Sequence, residues 1–193
     1  MIDDNQCIRS IALGDPEALK ELYQHFGDRV YNTILSYLKN EEDAQEVLQD
    51  VFVTVHHTAG KFQFNSSVST WIYRIAVNKS LDFIRSKHAK KRQGIFTSIY
   101  KKDSGEILYD SPNFEHPGVV LEKKEHAKFL FKAIDALSEN QRTAFILTQV
   151  EGISQNEVAE IMDLTRKSVE SLIQRAKANL RIELKKYYPE RGK

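Results

Sequence analysis

Residues 154–180 read SQNEVAEIMDLTRKSVESLIQRAKANL. Ser154 precedes Glu157 at the spacing of a capping box, in which the hydroxyl and the carboxylate each satisfy a backbone N–H of the first turn. Val158, Ala159, Ile161 and Met162 then supply the apolar face of a short helix. Thr165 can cap a second helix, whose buried side is Val169, Leu172, Ile173, Ala176 and Leu180. Helices joined this closely must cross steeply, so the residue at their closest approach has to be small, and Ala159 fits. The turn needs a left-handed residue, and Asp163 tolerates that conformation better than most. Arg166, Lys167, Glu170, Ser171, Gln174, Arg175 and Lys177 fall on the outer side of the second helix. This is the geometry of a helix-turn-helix that offers its second helix to a major groove. Two plain packed helices with a solvated charged face would share the spacing.

The charge distribution extends that reading. The formal net charge of the 193 residues is +1, which conceals separate acidic and basic segments. Glu41, Glu42, Asp43, Glu46 and Asp50 lie in one stretch without a base, and Arg85, Lys87, Lys90, Lys91 and Arg92 in another without an acid. From Thr165 to Lys193 nine bases face three acids. Basic segments attract phosphate, whereas the acidic one requires a different partner.

The rest of the chain is also helical in pattern. Gly14-Asp15-Pro16-Glu17 ends one helix and starts another, with Asp15 as cap and Pro16 at the first position. Leu19, Leu22, Tyr23, Phe26, Val30, Ile34, Leu35 and Leu38 recur at spacings of three and four. Ala44, Val47, Leu48, Val51, Phe52 and Val55 repeat the pattern behind an acidic first turn, where the helix dipole favours acids. The periodicity breaks from about Thr58 to Ser69 and returns in a helix from about Thr70 to Arg92. Between Gly94 and Pro117 no apolar stripe persists, and Gly, Ser, Asn and Pro punctuate the chain. A stretch of this length without structure is unusual inside one compact domain, so it reads as a flexible linker. The fold expected is all-α: two small helical domains, 1–93 and 118–193, joined by the linker 94–117.

A second constellation lies at Lys61 to Arg92. Phe62, Phe64, Trp71 and Tyr73 are interleaved with Arg74, Lys79, Arg85 and the basic cluster. Rings that stack bases, among cations that hold a backbone, suit single-stranded nucleic acid. Trp71 and Ile75 sit at core spacing, so Trp71 reads as a packing residue and Phe64 as the candidate contact.

The ordered set of motifs resembles regions two and four of the extracytoplasmic-function (ECF) sigma factors, the smallest members of the sigma-70 family. The matching pieces are Asp43-Ala44-Gln45-Glu46-Val47-Leu48-Gln49-Asp50-Val51-Phe52, Ser69-Thr70-Trp71-Ile72-Tyr73-Arg74-Ile75-Ala76-Val77-Asn78, and Leu137-Ser138-Glu139-Asn140-Gln141-Arg142, followed by Glu151-Gly152-Ile153-Ser154 through Gln174-Arg175-Ala176. The resemblance spans residues 14–92 and 133–184. It implies a factor that binds core RNA polymerase and directs promoter-specific transcription initiation. Leu48, Gln49, Asp50 and Phe52 would dock on the beta-prime clamp, which gives the acidic segment its partner. The loop from Phe62 through Phe64, Asn65, Ser66 and Ser67, with Arg74, Asn78 and Lys79, would take the minus-ten element. A base edge in a melted strand is readable once unstacked. Arg166, Lys167, Ser168, Glu170, Ser171, Gln174, Arg175 and Lys177 would read the minus-thirty-five element, while the same module packs on the beta flap. An anti-sigma factor is a further implied partner.

Other classes fit less well. A stand-alone helix-turn-helix regulator is the alternative, but a sensor domain has no use for the Trp71-Ile72-Tyr73-Arg74 segment behind an aromatic polar loop. A module that binds only protein would leave the basic C-terminal segment unexplained. His56 and His57 are adjacent and point apart on a helix, the histidines show no ligand spacing, and no nucleophile stands beside a base in a recognisable motif. Neither enzyme, metal, cofactor nor small-molecule substrate is expected. Cys7 is alone, no apolar run reaches bilayer length, and MIDDNQCIRS is too polar for a secretion signal, which makes the cytoplasm the expected compartment.

Overall fold

The computed structural model describes residues 3–99 and 124–186, and the side chains of 3–90 and 129–186. Within these residues every regular element is a helix. α1 spans Asp4–Ala12, α2 Pro16–Leu38 and α3 Glu41–Thr58, followed by a short 3₁₀ turn, Ala59–Lys61. α4 runs from Val68 to Ile99, α5 covers Lys124–Asp135, and α6 covers Glu139–Phe145 with a π turn at Ile146–Val150. α7, Gln155–Met162, and α8, Arg166–Lys185, complete the described chain.

Local chemistry sets these boundaries. Asp15 accepts from the Glu17 N–H at 3.0 Å, with Pro16 at the first helical position, as the sequence indicates. Gly14 adopts φ +89°, a conformation that side chains rarely take. Lys39 ends α2 in the left-handed region, and Asn40 starts α3 by accepting from the Asp43 N–H at 2.8 Å. One expectation is corrected here: α4 continues to Ile99, so Gly94 does not begin the linker. A single glycine costs a helix only about 1 kcal/mol, too little to stop one of this length. The remainder of the expected linker, from residue 100, lies outside the described residues, as does 118–123.

α4 is the spine of the molecule. Val68, Ile72 and Ala76, four residues apart, are buried in a core with Leu22, Phe26, Val30 and Ile34 of α2 and Val47, Val51 and Val55 of α3. Tyr73, Val77 and Leu81 repeat the spacing one residue later, about 100° round the helix, and join a second core. That core contains Ile134, Leu137, Leu147, Val158, Val169, Ile173 and Leu180, together with Tyr37 from the end of α2. Burying each large aliphatic side chain contributes roughly 1.5–3 kcal/mol. The two modules therefore share α4 through adjacent stripes.

Polar contacts tie the modules together around this seam. Lys39 donates to the carboxylate of Asp135 and, at 3.1 Å, to the Phe131 carbonyl. Arg85 pairs with Glu139 at 2.6 Å, and the Ser36 hydroxyl donates to Glu151 at 3.3 Å.

Candidate nucleic-acid interface

The helix-turn-helix forms as its sequence dictates. Ser154 and Glu157 make both halves of the capping box. Asp163 closes α7 at φ 54° and ψ 47°, and the Leu164 N–H returns to the Ala159 carbonyl at 2.9 Å. Thr165 caps α8 by accepting from the Ser168 N–H at 3.1 Å. Val169, Ile173, Ala176 and Leu180 are buried, so the opposite side of α8 faces outward.

On that outer side, Arg166, Lys167, Ser168, Glu170, Gln174, Arg175 and Lys177 are exposed, and Ser171 is half-buried. Two of these are tethered. The Ser168 hydroxyl lies 2.8 Å from that of Thr165, and Arg175 donates to the Ser171 hydroxyl at 2.8 Å, which orients its guanidinium along the helix. A basic helix face of this kind has the shape and charge to enter a major groove.

The aromatic loop is built from three rings. Phe62 stacks on Trp71 with centroids 4.6 Å apart and planes at 25°, and Phe64 tilts against Phe62 at 4.8 Å. Trp71 is half-buried, whereas Phe64 stays 38% exposed and holds φ +57°. That conformation costs an L-residue of this bulk about 1–2 kcal/mol, and such strain concentrates at functional positions. Asn65 is exposed, and its amide donates to Gln63 at 3.2 Å. Ser67 is spent on capping α4, accepting from the Thr70 N–H at 3.0 Å, while Ser66 is half-buried. Asn78 is exposed and Lys79 half-buried on the next turns of α4. Arg74 turns away from the rings and donates to the Glu160 carbonyl of α7.

On α3 the expected docking residues divide between surface and core. Gln49 and Asp50 are exposed, but Leu48 and Phe52 are each only 6% exposed. Phe52 packs edge-on against Tyr23, with centroids 4.8 Å apart, so it supports the face from within. Val53, 53% exposed, joins Glu46, Gln49 and Asp50 on the outer side. Val53 was detectable in the sequence, because it falls outside the spacing of three and four that the buried residues of α3 obey. Asp43 pairs with Lys87 at 2.5 Å, which ties the acidic segment to the basic stretch of α4.

Comparison with known proteins bears on the family and the fold. The family model for Sigma-70 region 2 matches residues 22–90, and that for Sigma-70, region 4 matches residues 130–180. The ECF RNA polymerase sigma-E factor of Escherichia coli (strain K12) is 26% identical over 178 residues, covering 91% of each chain. The RNA polymerase sigma-H factor of Pseudomonas aeruginosa is 26% identical over 176 residues, 90% of each. Among solved structures, CnrH in complex with the cytosolic domain of CnrY superposes with a TM-score of 0.67 at 24% identity, covering 94% of this chain and 96% of that one. The sigma factor RpoE of Bartonella quintana, in complex with the anti-sigma factor NepR, gives a TM-score of 0.59 at 20% identity, covering 86% and 98%.

Proposed function

Because the chain belongs to the sigma-70 family, in its extracytoplasmic-function group, we propose that its two modules divide promoter recognition between the aromatic loop before α4 and the outer face of α8. Sigma factors of this family direct promoter-specific transcription initiation with RNA polymerase. The observation that carries the residue-level reading is the pairing of a basic, outward-facing α8 with a ring cluster at the start of α4. One suits a duplex groove, and the other suits unstacked bases.

Three surfaces follow. Gln49 and Asp50, flanked by Glu46 and Val53 and braced by Leu48 and Phe52, form the face for the beta-prime clamp of core polymerase. Phe62, Phe64 and Asn65, with Asn78 and Lys79, receive the minus-ten element, and Arg74 joins them once released from α7. Arg166, Lys167, Gln174, Arg175 and Lys177 meet the minus-thirty-five element, with Glu170 placed to accept from a cytosine amino group. Ser168 and Ser171 act behind them, one in the cap and one beneath Arg175. The chain acts as a polymerase subunit rather than a catalyst, on cytoplasmic transcription machinery. Its modules are also surfaces for an anti-sigma factor, the partner present in the Bartonella structure.

The stand-alone regulator makes an opposite prediction about DNA binding. Mobility shifts on a randomised promoter pool, with and without core polymerase, separate the two. Enrichment of two-element sites only when core is present supports the sigma reading. Equal enrichment by the chain alone, at paired half-sites, supports the regulator.

A further inference from the structure

α1 lies before the residues matched by the region 2 family model, yet it contributes to the ring cluster. The guanidinium of Arg9 sits over the Phe64 ring, 5.1 Å from its centroid. Trp71, Phe62, Phe64 and Arg9 thus follow one another from a half-buried indole to an exposed cation, Phe62 stacked on Trp71 and Phe64 tilted at 59° to Phe62.

The placement of Arg9 is enforced from below. Cys7, Ile8 and Ile11 are buried in the first core, and Asp4 meets His25 of α2 at 3.0 Å. Ala12 comes so close to the 3₁₀ turn that a Cβ on Gly60 would lie 3.9 Å from its own. Lys61 ends that turn and is exposed beside the loop. The phenylalanine beneath Arg9 has its backbone in the left-handed conformation. Phe64 buries part of its ring against Phe62, but that packing calls for neither an arginine over the ring nor a left-handed backbone.

We propose that Arg9 is a nucleic-acid contact of the aromatic loop: its guanidinium, held over the Phe64 ring, stacks an unpaired base of the melted strand and meets the neighbouring phosphate. A guanidinium plane stacks bases as a ring does, and its N–H edge stays free for phosphate oxygens. The inference rests on the minus-ten reading given above and extends that site onto α1.

The test uses the full chain with core polymerase on a selected promoter whose non-template strand is left unpaired across the minus-ten element, at fixed salt. Arg9→Ala should weaken binding to this template about fivefold or more, as for loss of one stacking partner. Affinity for core polymerase and for a duplex minus-thirty-five fragment should stay at the parent value. Arg9→Lys keeps the charge without the plane, so most of the loss should persist. In a Phe64→Gly background, where the turn is unstrained, Arg9→Ala should add nothing further. Parent affinity in Arg9→Ala overturns the proposal, and full rescue by lysine overturns the stacking contact. If the parent itself does not prefer the unpaired template to its duplex, the minus-ten reading fails first and takes this one with it.

Discussion

Arg74, eight residues before Asp82 on α4, gives its guanidinium to the backbone carbonyl of Glu160 on α7, so a residue of the first module is held by the helix-turn-helix of the second. The same seam holds Lys39 against Asp135 and Arg85 against Glu139. In the minus-ten contact proposed for it, Arg74 would give up the Glu160 carbonyl. Asp135→Lys places two cations together and leaves Lys39, whose side chain is 13% exposed, without its carboxylate. The seam should weaken by about 1–3 kcal/mol, with a larger radius of gyration in small-angle scattering and unchanged helical dichroism. An unchanged radius would mean that this contact does not hold the modules.

The seam should also respond to pH through Glu151. Burial raises its carboxyl pKa from the ordinary value of 4.5, against hydrogen bonds from Ser36 and Thr33 that lower it. A raised value means that the packed state favours the protonated acid. The stabilisation is complete below 4.5 and is lost as pH rises through the raised value. Packing of the modules should tighten as pH falls from neutral into the carboxylate range. Glu151→Gln should abolish that dependence in an interdomain energy-transfer titration, and a pH response kept by the variant would assign it to another group.

The division of α3 into outer and inner residues separates docking from folding. Asp50→Lys should reduce affinity for core polymerase while leaving the melting temperature close to the parent's, since Asp50 is exposed. Phe52→Ala should instead cost about 3–5 kcal/mol of stability, because the ring is 6% exposed and packs on Tyr23. Core affinity unaffected by Asp50→Lys removes this face from the account.

On α8, Arg175 and Lys167 should differ in kind. Arg175 is pre-oriented by Ser171 and can make a bidentate contact with guanine, about 1–3 kcal/mol of discrimination. Lys167, in the first turn of α8, is proposed to meet phosphate, a contact that carries no sequence information. In a binding series on promoter point variants, Arg175→Ala should flatten preference at one or two base pairs. Lys167→Ala should lower all affinities together and reduce the salt slope by about one. Parent behaviour in both would show that another element reads this site.

Most of the helix-turn-helix was legible because its determinants are local. Ser154, Glu157, Asp163 and Thr165 act on backbone within four residues, and each does what its side-chain chemistry requires. The buried stripes of α2, α3 and α8 were legible for the same reason, since 3.6-residue periodicity needs no knowledge of the partner. The seam was not. Lys39 and Asp135 are 96 residues apart, and a lysine at a helix end looks the same whether it meets water or a carboxylate. Likewise Leu48 and Phe52 were grouped with Gln49 and Asp50 through a family motif, which fixes identity but not the side of the helix. Arg9 carried no signal in sequence, because its meaning comes from a ring 55 residues later in an unusual backbone conformation.

As a sigma factor, this one chain would connect core polymerase to a two-element promoter. The most direct test of that connection is transcription with purified components: the full chain, core RNA polymerase and a genomic or randomised template library, with the 5′ ends of the transcripts mapped. Transcripts should appear only when the chain is added, starting at a fixed distance downstream of two shared sequence elements. The upstream element should lose its preference at one or two base pairs with Arg175→Ala, and the downstream one should weaken with Phe64→Gly. Transcripts without a shared two-element signature, or none above core polymerase alone, would contradict that connection.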